Sequence, residues 1–87
     1  MLEGENLVEI GRVMHFYTRI GVAVIELTGS ISVGDKIVIR GANTDFGQIV
    51  ESMQIEHENV ERAEAGQSIG LRVRDRTREG DVVYKVS

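Results

Sequence analysis

The sequence predicts an all-β fold, a small closed antiparallel β-barrel of about six strands. Three observations point there. Apolar residues recur with a period of two or in short β-branched runs, and no stretch makes a convincing helix. Turn formers punctuate the chain every several residues, with Gly-Asp pairs at Gly34-Asp35 and Gly80-Asp81. A small chain of short strands also gains from closure, because closure removes exposed sheet edges.

The elements follow in order. Residues 1–6 carry no pattern and are expected to be a loose N-terminal end of one β-barrel domain spanning 1–87. Leu7 to Thr18 is rich in β-branched and aromatic side chains and reads as a long first strand, with Gly11 allowing a bend or bulge. Arg19-Ile20-Gly21 is a turn, and Val22 to Leu27, nearly all apolar, reads as a buried strand. Ile31 to Asp35 turns again, with Gly34 taking the special backbone angles and Asp35 accepting hydrogen bonds from nearby amides. Lys36 to Arg40 alternates, Ile37 and Ile39 inward and Val38 outward, before a loop over Gly41 to Asp45.

The central stretch runs from Gly47 to Leu71. Ile49, Val50, Met53 and Ile55 supply the apolar side of its first strand, and the slip in alternation predicts a bulge near Ser52. His57 to Glu64 is too polar for a core element, though Val60 and Ala63 can pin it down. Gly66 supplies a turn, and Ile69, Leu71 and Val73 alternate inward around Gly70. Arg78 to Asp81 makes a last turn before the strand Val82 to Val86.

Composition removes several function classes. The chain has 87 residues and no cysteine, which excludes disulfides, thiolate catalysis and cysteine-ligated zinc. Its net charge of −4 is a poor balance for general nucleic-acid binding. No apolar run is long enough to span a membrane, and MLEGEN lacks the features of a signal peptide, so the expected location is cytoplasmic. No glycine-rich loop ending in Gly-Lys-Ser/Thr is present, so nucleotide hydrolysis is not expected. His15 and His57 neighbour no nucleophile signature, and Glu56, His57 and Glu58 point apart on an extended chain. The expectation is therefore a chain that is not an enzyme, with no metal and no cofactor.

Val50, Ser52, Met53 and Ile55, then His57-Glu58, then Ala63, Gly66, Ile69, Gly70 and Leu71 form a spaced pattern. The pattern resembles the second domain of the translational GTPases, the group of elongation factor Tu. Gly29 to Ile39 and Gly80 to Val83 extend the resemblance to nearly the whole chain. The resemblance implies a β-barrel and a non-catalytic binding module contacting RNA, the ribosome or the translation machinery. The family's characteristic pocket glutamate falls at Gln54, which can donate and accept but carries no charge.

Two further features mark candidate binding residues. Arginine falls at every second position at Arg72, Arg74, Arg76 and Arg78; on a continued strand these would share an outward face able to track phosphates or grip an acidic partner. The plainer alternative is a solvated face paired with Asp75, Glu79 and cross-strand acids. Tyr17, at the end of the first strand, could stack a base, or simply pack at an edge. Arg72, Arg74, Arg76, Gln54 and Tyr17 are thus the candidate RNA or partner contacts. The alternative function is a protein-interaction barrel, a free-standing subunit of an enzyme or of a homo-oligomer.

Overall fold

The computed structural model describes residues 6–87. The loose end expected over residues 1–6 lies outside the described residues except for Asn6, whose carbonyl accepts a 2.9 Å hydrogen bond from the Ser87 amide. The all-β class holds. Ten strands form: β1 (Leu7–Tyr17), β2 (Val22–Leu27), β3 (Ile31–Ser32), β4 (Lys36–Gly41), β5 (Thr44–Ile49), β6 (Met53–Ile55), β7 (Glu58–Val60), β8 (Arg62–Ala63), β9 (Ser68–Arg72) and β10 (Val82–Val86).

The closed barrel of about six strands is corrected. Eight strands make one antiparallel sheet in the order β5-β4-β10-β1-β2-β9-β6-β7, and β3 pairs with β8 in a second, two-stranded sheet. The ladder is open, with β5 and β7 at its edges. The sheet nevertheless curls, because the Gln48 side chain of β5 reaches the backbone of Arg72 and Arg74 at the end of β9, five places away in the order. A side chain, not a ladder, spans this seam.

β1 bends to serve both neighbours. Its register slips between Glu9 and Gly11 against β10, and between Val13 and His15 against β2. Each slip inserts one extra residue, the signature of a β-bulge. The first lies beside Gly11, where a bulge was expected; the second sits at Met14 and turns both Met14 and His15 to solvent. On β2 only Ala23, Ile25 and Leu27 are fully buried, so this strand has one core face, and Val22 and Val24 stand on the other. Ile10, Val13, Ile25, Ile37, Ile69 and Leu71 meet in the single apolar cluster.

One turn is used three times. Gly34, Gly66 and Gly80 have φ near +90° (98°, 93° and 92°), a region that residues with a Cβ rarely adopt. In each case the next side chain accepts from the amide three residues back. Ser32 N–H donates to Asp35 Oδ2 at 2.9 Å, Glu64 N–H to Gln67 Oε1 at 2.7 Å and Arg78 N–H to Asp81 Oδ2 at 2.8 Å. Each turn is closed by a backbone bond in the opposite sense, from Asp35, Gln67 and Asp81.

Four local expectations change. Val38 was placed outward, and it does stand outside the main cluster, yet it is only 4% exposed. Gly41 to Asp45 is not a loop: Gly41 pairs with Thr44, and only Ala42-Asn43 turn. The slip near Ser52 is a strand break, since β5 pairs with β4 while β6 pairs with β7 and β9. That break reverses the phase of β5, so that Gln48 is buried and Ile49 is 49% exposed. The polar stretch after Ile55 also contributes strands β7 and β8, and Ala63 is buried against Ile31.

Candidate binding surfaces

The expected site residues fall on three separate surfaces. Gln54 and Tyr17 share the first, a groove of about 480 Å³ over the outer face of β2, β9 and β6. Val22 and Val24 form one wall, Gly70 keeps the middle low, and Gln54, Glu56 and His57 form the far side. Tyr17 and Ile20 stand at its end, 49% and 57% exposed. Gln54 Nε2 donates to Asn59 Oδ1 across the β6–β7 hairpin at 3.1 Å. The two residues that turn this hairpin, Glu56 and His57, both have positive φ (50° and 68°). A two-residue hairpin needs that geometry, but Asn-Gly normally supplies it.

The arginine row does not form as drawn. β9 ends at Arg72 because its partner β2 begins at Val22, and Val73 N–H makes one last bond to Gly21 O at 2.9 Å. Beyond it the chain bends, with Val73 and Thr77 buried and Arg74 and Arg76 exposed. Arg72 and Arg74 line the seam beside Gln48, Ile49 and Glu51. Arg76 lies elsewhere, in a shallow hollow with His15, Phe16, Arg78 and Glu79. There His15 Nδ1 is 3.5 Å from Glu79 Oε2, and its ring meets Tyr17 edge-on at 4.4 Å. Among the described residues Arg72, Arg74 and Arg76 have no ion-pair partner, so pairing with Asp75 or Glu79 does not occur.

The seam surface continues past Gln48, Ile49 and Arg74 into a second hollow. Its second half is a hollow of about 580 Å³ lined by Lys36, Val38, Arg40, Asp45, Gly47 and Arg74 among others. Cross-strand register sets this wall: Lys36 faces Ile49, Val38 faces Gly47 and Arg40 faces Asp45. Arg40 Nε donates to Asp45 Oδ1 at 3.1 Å, an exposed pair of small energetic weight. Gly47 leaves open the space above Val38. Away from this surface the Arg62 guanidinium has a raised pKa, first through its hydrogen bond to Glu64 and then through that carboxylate's charge. Among the described residues no group of three His, Asp or Glu side chains could hold a metal ion, and no helix is long and apolar enough to cross a membrane.

The sequence reading missed Gln48, Lys36 and Gly47 as surface-defining residues. The available signal was the alternation Thr44, Phe46, Gln48, which carries the inward phase of β5 and sets Ile49 on the outer face.

Comparison with known proteins corrects the resemblance to translation factors. No family model matches the chain. An uncharacterized protease of Methanocaldococcus jannaschii is 45% identical over 78 residues, covering 88% of this chain and 19% of that protein. A collagenase of Porphyromonas gingivalis is 36% identical over 78 residues, covering 87% of this chain and 22% of that protein. The chain thus spans about a fifth of the length of the curated relatives it matches. Among solved structures, the C-terminal domain of a Geobacillus thermoleovorans protein assigned to the U32 peptidases superposes with a TM-score of 0.83 at 19% identity, covering 87% of this chain and 89% of that one. Its selenomethionine variant gives 0.82 at 18%, covering 86% and 95%.

These likenesses overturn three expectations together: the elongation-factor kinship, the translation-linked binding function and the assignment as a non-enzyme. The curated relatives are named for proteolysis, not translation. The physical cause of the error is visible in the fold. The shared pattern consists of turn glycines and inward alternation, which a small antiparallel sheet requires whatever its ancestry.

Proposed function

We propose that this chain is a module of a peptidase, equivalent to the C-terminal β-domain of the Geobacillus protein, and that it handles polypeptide for that enzyme. The observation that carries the reading is the 45% identity to the Methanocaldococcus protease across 88% of the chain. The 0.83 TM-score supports the same domain assignment at the level of fold. We also propose that residues 1–87 act as one folding unit, which the single core cluster supports.

The test exchanges domains. The matching stretch of the Porphyromonas collagenase is either deleted or replaced by this chain, and hydrolysis of a collagen-derived peptide is followed. A soluble chimera that regains activity lost on deletion supports the proposal. A soluble chimera as inactive as the deletion variant, or a deletion variant with full activity, overturns it.

A further inference from the structure

We propose that the groove over the outer face of β2, β9 and β6 seats an arginine side chain of an extended polypeptide, while an apolar side chain two residues away rests on Tyr17 and Ile20. This deepens the peptidase reading, on which it rests, by naming the kind of polypeptide such a module holds.

The floor of the groove is low because of Gly70, and the fold does not require glycine there. Every other described glycine has positive φ or a neighbour within 3.3 Å of where a Cβ would stand. A Cβ on Gly70 would meet only Val22 Cγ1, at an ordinary 3.5 Å, and no register slip lies beside it. Glycine inside a strand costs stability; one that neither bulge nor crowding demands fits a close approach by another molecule. β2, β9 and β6 each have ladder partners on both sides, so the floor offers side chains and no free backbone edge. The register aligns Val24, Gly70 and Gln54 across it, with Tyr17 opposite Val22 toward one end and Ser68 opposite Glu26 toward the other. Val22 and Glu26 are four residues apart, about 13 Å along the strand.

Charge selects the ligand. Among the described residues Glu56 is the one carboxylate lining the groove, no lysine or arginine lines it, and Glu56 has no ion-pair partner. Glu26, opposite Ser68, adds negative charge at the same end but faces Arg12 of β1 on its other side. Glu56 is also held at positive φ, a cost that recurs at positions holding ligands. Gln54 and Ser68 supply neutral acceptor oxygens beside it. A guanidinium, with five N–H donors in one plane, suits a carboxylate flanked by neutral acceptors, and its methylene stem suits the half-buried Val22 and Val24. Residues two apart on an extended chain face the same way, so an apolar residue at that spacing from the arginine meets the exposed Tyr17 and Ile20.

The experiment measures fluorescence anisotropy of the labelled peptide Gly-Leu-Ser-Arg-Gly with the 87-residue chain at low salt, beside the same peptide carrying citrulline, which keeps the shape of arginine without its charge. The expected result is saturable binding, weakened about tenfold or more by citrulline, by Glu56→Gln and by Gly70→Val. Gly70→Val fills the floor at a site with room for a Cβ, so its thermal midpoint should not fall while binding is lost. Citrulline changes the ligand and not the protein, so its effect does not depend on a variant folding. No saturation at about millimolar peptide, equal binding of the citrulline peptide, or a well-folded Gly70→Val that binds like the wild type would overturn the proposal. So would sedimentation showing that the face is covered by a second copy of the chain and freed by Gly70→Val. Peptide binding alongside an inert chimera would keep this groove and remove the peptidase role; an active chimera without peptide binding would do the reverse.

Discussion

The side-chain amide of Gln48 brackets Val73. Gln48 Nε2 donates to the carbonyl before Val73, on Arg72, at 3.0 Å, and Gln48 Oε1 accepts from the amide after it, on Arg74, at 2.7 Å. A backbone peptide in a parallel bridge would make the same two bonds. Gln48 is buried, so each unmade bond would leave one of its side-chain polar atoms away from water.

Replacing Gln48 with leucine removes the side-chain partner of both bonds and leaves the Arg72 carbonyl and the Arg74 amide without it. The expected cost is about 1–3 kcal/mol, read as a lower urea midpoint with little change in slope. Gln48→Glu should be worse, because it removes the donor to Arg72 and buries a charge in its place. Equal stability of the wild type and both variants would show that the clasp is idle.

Thr44 and Thr77 carry buried hydroxyls that find no hydrogen-bond partner. Thr77→Val should therefore be neutral or stabilising by about 1 kcal/mol, since it deletes an unpaired polar atom and keeps the shape. Thermal unfolding checks this directly. A fall in midpoint of several degrees would mean that the hydroxyl is bonded in solution.

The Glu56-His57 turn holds two residues with a Cβ at positive φ. Exchanging the pair for Asn-Gly should add about 1–2 kcal/mol, because those residues adopt the turn without steric cost. Slower hydrogen exchange at the paired amides of β6 and β7 would accompany the gain. No gain would indicate that the present side chains repay the strain through other contacts.

Gly41 lies under the Asp81 turn, and a Cβ there would overlap the Asp81 carboxylate. That carboxylate accepts from Arg78 N–H, so it cannot swing away freely. Gly41→Ala should lower stability by about 1–3 kcal/mol, measured by denaturant titration. The double variant Gly41→Ala with Asp81→Ala should recover the steric part and retain only the loss of the turn bond.

Much of the strand pattern was legible. β1, β2, β4, β9 and β10 follow from alternation and β-branched content, and Gly34, Gly66 and Gly80 follow from turn chemistry. The echo between the Asp35 and Asp81 turns is visible in sequence; the third copy is disguised because Gln67 replaces the aspartate. Closure could not be read, since it depends on whether distant strands pair, and here one glutamine stands in for a ladder. The arginine row failed for a related reason. Its strand stops where β2 begins, which is a property of the partner and not of the arginines.

β10 lies between β1 and β4 in the sheet and pairs with both. During synthesis the first and fourth strands are made long before it. Until Val82–Val86 leaves the ribosomal tunnel, two strand edges therefore wait unpaired, and each can pair wrongly with a neighbouring nascent chain. Loss of Val82–Val86 would leave a slot through the middle of the sheet, with β1 and β4 each facing it by an unpaired edge.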